Sequence, residues 1–140
     1  MKTSYGQRLE FGESISSVLS KYATFHGRAP RSEYWWWVLF TILVQAATGI
    51  LDAALFDNYG LIAHHGARGF TPLSSLAGLA MLLPSLAVGA RRFHDMGRSA
   101  WWLLIGLTGI GAFVIFFWFM ARGDEGPNRY GRDPLDRRPV

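Results

Sequence analysis

The chain has 140 residues, half of them hydrophobic, 15% aromatic and only 17% charged. That length suits one domain, and a charged fraction below the ~25% of ordinary soluble chains excludes a disordered protein and argues against a soluble one. There is no cysteine, which excludes disulfide frameworks, cysteine nucleophiles and thiolate metal sites. The net charge of +4 does not imply a nucleic-acid partner, because the basic residues sit among acidic ones.

The charges are segregated along the chain. Tyr34 to Leu51 carries none over 18 residues, Gly69 to Ala90 none over 22, and Ser99 to Ala121 none over 23. A membrane helix needs ~20 apolar residues, since the hydrocarbon core is about 30 Å thick and each residue rises 1.5 Å. The expected fold class is therefore an all-α membrane protein, a small bundle of three transmembrane helices with an N-terminal interfacial amphipathic helix. The expected units are an N-terminal segment 1–33, a bundle 34–121 with spans near 34–55, 73–94 and 100–121, and a turn-rich tail 122–140.

No secretory hydrophobic region opens the chain. Instead Phe11, Ile15, Val18, Leu19 and Tyr22 recur at helical spacing, with Glu13, Ser14, Ser17, Ser20 and Lys21 between them. This predicts an amphipathic helix lying in the membrane interface, although a helix docked on protein has the same pattern. The first apolar run opens on Tyr34-Trp-Trp-Trp37, and Gln45 is its one strongly polar residue, expected to hydrogen-bond between helices. In the loop 52–68, the neighbouring pair His64-His65 lacks the spacing of a metal site.

The second run carries Ser74, Gly78, Ser85 and Gly89 on one helical face, which permits close helix approach; Pro84 removes a backbone donor and predicts a kink. The loop that follows has a helix stop at Gly97 and an N-cap at Ser99, and Asp95 is spaced to pair with Arg91 or Arg98. The third run begins with Trp101-Trp102 and ends Phe116-Phe117-Trp118-Phe119, with Gly106, Gly109 and Gly111 between. As one helix, Trp101 to Ala121 would cover roughly 31 Å. A re-entrant hairpin is the alternative, and it would have to hide its turn from lipid.

Three full spans place the N-terminal segment and the second loop on one side with eight basic residues, against six on the other, giving a cytoplasmic N-terminus. A re-entrant third run changes the split to thirteen against one. Three spans are the expectation here, because irregular backbone in lipid is costly.

One constellation stands out. Arg28, Arg31 and Glu33 precede the first span; Arg91, Arg92, His94, Asp95 and Arg98 join the second to the third. Both clusters share a side in either topology, so Glu33 can meet a loop arginine, and Trp35, Trp36, Trp101 and Trp102 lie at the same depth. Arginine forks hold carboxylates and phosphates and stack on aromatic faces.

These residues carry a resemblance. Phe25-His-Gly-Arg-Ala-Pro-Arg-Ser-Glu-Tyr-Trp35 resembles the F-x-G-R-x-x-R-x-E-[YF]-W element of a bacterial membrane family called domain of unknown function 805. Arg91-Arg-Phe-His-Asp-Met-Gly-Arg-Ser-Ala-Trp-Trp102 resembles its R-R-L-H-D-x-G-R-S-x-W-W. Gly126-Pro-Asn-Arg-Tyr-Gly-Arg-Asp-Pro134 resembles its G-x-N-x-[YF]-G-x-D-P. The resemblance covers roughly residues 15–134. Phe93 stands where leucine is usual, and Thr108-Gly109-Ile110-Gly111 stands where a Pro-x-x-Gly break is common. It implies a small multi-pass protein of the bacterial inner (cytoplasmic) membrane, and brings no established activity, cofactor or catalytic residue.

The functional expectation is a structural or interaction protein whose Arg/Trp rim (Arg28, Arg31, Glu33, Arg91, Arg92, His94, Asp95, Arg98, Trp35, Trp101 and Trp102) holds an anionic lipid headgroup or a partner membrane protein, including a second copy. No cofactor, metal or nucleic acid is expected. The competing readings are a membrane enzyme with His94 as proton shuttle, and a subunit of an oligomeric transporter. Adjacent His94 and Asp95 point about 100° apart on a helix, so they do not pair directly.

Overall fold

A computed structural model describes residues 9–57 and 71–136. The pair His64-His65 and the charged residues Lys2, Arg8, Arg68, Arg137 and Arg138 lie outside the described residues. The described chain is helical and has no strand, only an isolated antiparallel bridge between Asn128 and Gly131.

Helix α1 spans Phe11–Ser20 and opens with the Glu13 carboxylate accepting from the Glu10 backbone N–H at 3.1 Å. It lies on the two long helices that follow. Val18 is fully buried with Trp37, Val88 and Ala29, and Ile15, Tyr34, Phe40 and Met81 pack around them. Phe11 meets the Trp36 ring edge-on at 5.6 Å.

Helix α2 spans Arg31–Asp52, continuing as a π-helical turn Ala53–Asp57, and helix α3 spans Pro72–Asp95. At 22 and 24 residues they reach about 33 and 36 Å, enough to cross a bilayer. They run antiparallel. At one end Asp52 of α2 caps α3, accepting from the N–H groups of Leu73 (3.0 Å) and Ser74 (2.8 Å) and from the Ser74 hydroxyl (2.6 Å). Mid-helix, Gln45 crosses α3 at Gly78, where a Cβ would sit 3.0 Å from its side-chain amide. Further along, the Trp37 indole donates to Ser85 at 2.9 Å. Ser74, Gly78 and Ser85 thus face α2, whereas Gly89 faces a different neighbour, Leu103, at 3.2 Å.

Pro84 lies inside α3 and cannot donate to the carbonyl of Ala80. That carbonyl accepts instead from the Tyr22 hydroxyl. Helix α3 then stops in a Schellman turn: Gly97, at φ +64°, donates to His94 (3.1 Å) and Arg98 donates to Phe93 (2.9 Å).

The expected third span over 100–121 is not one helix. Ala100–Thr108 is a 3-10 helix, Gly109 turns the chain at φ +70°, and α4 runs only from Ile110 to Met120. The two halves are about 18 and 16 Å long, so neither crosses the hydrocarbon. They fold back on each other, with Trp102 and Trp118 rings 5.4 Å apart, where a continuous helix would separate them by about 24 Å. The three-span bundle is thereby corrected to two long helices and a helical hairpin.

The tip answers the expected backbone cost. Thr108 donates its hydroxyl to Ile105 O at 2.7 Å and accepts from Gly111 N–H at 3.1 Å, while Ala112 N–H reaches Gly109 O at 3.0 Å. Gly111 is obligatory, because a Cβ there would run into the Ile105 carbonyl. Outside the tip, Leu107 and Ile110 are 85% and 80% exposed, apolar surface that suits lipid.

Candidate functional site

The arginine motifs converge where the α1–α2 linker, the end of α3, the end of α4 and the tail meet. Glu33, one turn into α2, and Arg91, one turn before the end of α3, form a buried ion pair at 2.8 Å. Ser17 of α1 donates to the same carboxylate at 3.2 Å, and Lys21 lies 4.0 Å from it. Arg91 pairs with Glu33, not with Asp95 as local spacing allowed.

Asp95 is the second centre. Its Oδ1 accepts from Arg28 Nε at 3.0 Å and its Oδ2 from Arg92. Arg28 also donates to the tail carbonyls of Gly126 (2.6 Å) and Asp124. Arg92 turns to the end of α4, donating to the carbonyls of Phe119 (3.3 Å) and Ala121. Arg31 reaches Met120 O at 3.1 Å and the Trp35 indole reaches Phe119 O at 3.4 Å. A helix leaves its last carbonyls without intrahelical donors and carries partial negative charge there. The arginines therefore act as the C-cap of α4.

Arg98 sits apart from the ion pairs, stacked over Trp118 at 3.8 Å. Trp102 joins it through Trp118, whereas Trp101 is 77% exposed. His94 Nδ1 lies 3.2 Å from Gly27 O, and its ring stacks on Tyr130 at 3.9 Å and 7°. His94 and Asp95 face different partners, as the helical angle requires.

The tail lies against the α3 end, not on the opposite side as three spans required. Asp124 N–H donates to Asp95 O at 2.7 Å, Asn128 donates to His94 O at 2.9 Å, and Arg129 donates to Gly97 O at 3.0 Å. Gly123 packs against Asp95 too closely for any Cβ. These tail contacts were missed by the sequence reasoning, although the signal was present in Gly126-Pro-Asn-Arg-Tyr-Gly131. Asp52 was missed for another reason: a carboxylate at the end of one helix gives no hint that it caps the next.

Between α2, α4 and the tail runs a groove of about 1160 Å³. Trp35, Trp36, Leu39, Phe116 and Met120 give it apolar lining, and Arg31, Arg122, Asp124, Glu125, Asp133 and Asp136 give it charge. Among the described residues, no group of three or more His, Asp or Glu is placed to hold a metal ion.

The profile of the family described as "Protein of unknown function (DUF805)" matches residues 22–132. The chain belongs to this family. It is 38% identical to the inner membrane protein YhaH of Escherichia coli K12 over 118 residues, covering 84% of this chain and 92% of the relative. It is 41% identical to the inner membrane protein YhaI of the same strain over 119 residues, with the same coverage. No solved structure matches it. The relatives' names and the long apolar helices make this member a bacterial inner-membrane protein. All three motifs of the family resemblance meet at the Asp95 cluster.

Proposed function

We propose that this DUF805 protein is a non-catalytic membrane platform. It has two spans and a re-entrant hairpin, and it presents the linker, loop and tail together on the cytoplasmic face for binding lipid headgroups or a partner. The helix α1 lies at that face in the interface, with Phe11 and Leu19 exposed along it. With the hairpin returning to its starting side, the nine basic residues among the described ones all share one face. That asymmetry is what the positive-inside rule asks of a cytoplasmic face.

The observation that carries the reading is where the motif arginines point. Arg28, Arg91 and Arg92 are buried and donate to carboxylates and carbonyls of their own chain. A motif engaged internally is an architectural clamp, and the outer cations Arg31, Arg98, Arg122 and Arg129 are left to meet a headgroup phosphate or an acidic segment of a partner.

The clamp is testable by pair replacement. Breaking one partner of a buried ion pair costs about 3–5 kcal/mol, whereas replacing both by apolar residues of similar volume is often neutral. Arg91→Met and Glu33→Leu should each lower the thermal stability of the purified protein, and the double variant should recover most of it. A double variant as unstable as the singles would contradict the clamp.

A further inference from the structure

We propose that the groove between α2, α4 and the tail is a binding site for an aminophospholipid of the phosphatidylethanolamine class. The assignment rests on the platform reading, which places this face at the headgroup layer. The groove's two ends differ in chemistry. Its inner end offers Leu39 and Phe116, at 40% and 47% exposure, a strip on which an acyl chain can lie. Trp35 and Trp36 stand at the boundary, the depth that indoles favour.

The outer end carries both signs of charge, with the negative in excess. Asp95 is already held by Arg28 and Arg92, so its charge is matched. Asp124, Glu125, Asp133 and Asp136 also line the groove, against Arg31 and Arg122. Asp124 Oδ2 accepts from Asn128 at 3.2 Å, and Asp133 accepts backbone N–H groups from Gly126 (3.1 Å) and Leu135 (2.8 Å). Among the described residues neither has a lysine or arginine within ion-pair distance; Glu125 has Arg122 at 3.8 Å, both largely in solvent.

A purely anionic headgroup would therefore set its phosphate beside unmatched carboxylates. A headgroup with a phosphate and a primary ammonium fits both poles. The phosphate meets Arg31 and Arg122, and the ammonium's three N–H donors meet the tail carboxylates. A quaternary ammonium carries the same charge without those donors, so the site should separate phosphatidylethanolamine from phosphatidylcholine.

The test is native mass spectrometry of the full protein, titrated with phosphatidylethanolamine, phosphatidylcholine and phosphatidylglycerol of identical acyl chains. Retention of the ethanolamine lipid should exceed that of the other two by about tenfold, the equivalent of ~1.4 kcal/mol. In Asp124→Asn/Glu125→Gln, two exposed positions, the preference over phosphatidylcholine should collapse. In Arg31→Gln all three lipids should weaken together. Equal retention of ethanolamine and choline lipids, tighter retention of phosphatidylglycerol, or a preference that survives Asp124→Asn/Glu125→Gln at unchanged thermal stability would each overturn the assignment. Those failures concern the groove alone, whereas a tail found on the periplasmic side would remove the platform reading itself.

Discussion

Asp95 holds two arginines that would otherwise be buried charges without a counterion. Arg28 and Arg92 have side chains 1% and 0% exposed, and each donates to one oxygen of this carboxylate. In a low-dielectric setting the loss of the shared partner strands both, at about 3–5 kcal/mol for a buried pair. Asp95→Ala should therefore sharply lower the melting temperature in detergent and free the tail for proteolysis after residue 122. Glu125→Ala is the control at the same face. Its pair with Arg122 is 3.8 Å and solvent-exposed, a class worth about 0–1 kcal/mol, so its melting temperature should stay close to wild type. The residue types of this centre were legible in the sequence, because charges beside apolar runs are conspicuous. The partners were legible only in part: Glu33 was expected to meet a loop arginine, but not which one. Local spacing offered Asp95 to Arg91 and Arg98, but the side chains obey the packing of α1, α2 and α4, which bring Glu33 to Arg91 and Trp118 to Arg98.

At the level of elements, the two long helices and α1 followed from apolar runs and helical periodicity. The hairpin did not, because hydrophobic length alone cannot distinguish 21 residues in one helix from two short helices back to back. What decides it is stereochemistry at three positions: positive φ at Gly109, the missing Cβ of Gly111, and a Thr108 hydroxyl that serves the turn's backbone. A Trp102→Cys/Trp118→Cys variant of this cysteine-free chain should cross-link with a short bismaleimide. Adding Gly111→Val should abolish the cross-link, since its side chain cannot share space with the Ile105 carbonyl. Within α3 the same logic joins Tyr22 to Pro84. Tyr22→Phe removes the donor to the Ala80 carbonyl, at about 0.5–1.5 kcal/mol. In a Pro84→Ala background, where a backbone N–H again faces Ala80, the same change should cost much less. A thermal-stability double-mutant cycle reads the difference as a coupling energy.

For the whole molecule, sidedness links the fold to its role. The tail reads as turn-rich in sequence, and its described residues turn at Arg129–Tyr130 and Pro134–Leu135. Which side it occupies depended on the third run, and so turned on the Gly109–Gly111 hairpin. In the proposed topology the linker, loop and tail form one face, with the Arg28–Asp95–Arg92 cluster at their junction and the groove beside it. The absence of cysteine allows this arrangement to be mapped directly. Single cysteines would be introduced as Ala63→Cys, in the connection between α2 and α3, and Glu125→Cys, in the tail, and probed with a membrane-impermeant maleimide. Two spans and a re-entrant hairpin predict that Ala63→Cys is labelled in intact spheroplasts, while Glu125→Cys is labelled only in inverted membrane vesicles. Labelling of both positions in spheroplasts would contradict the account.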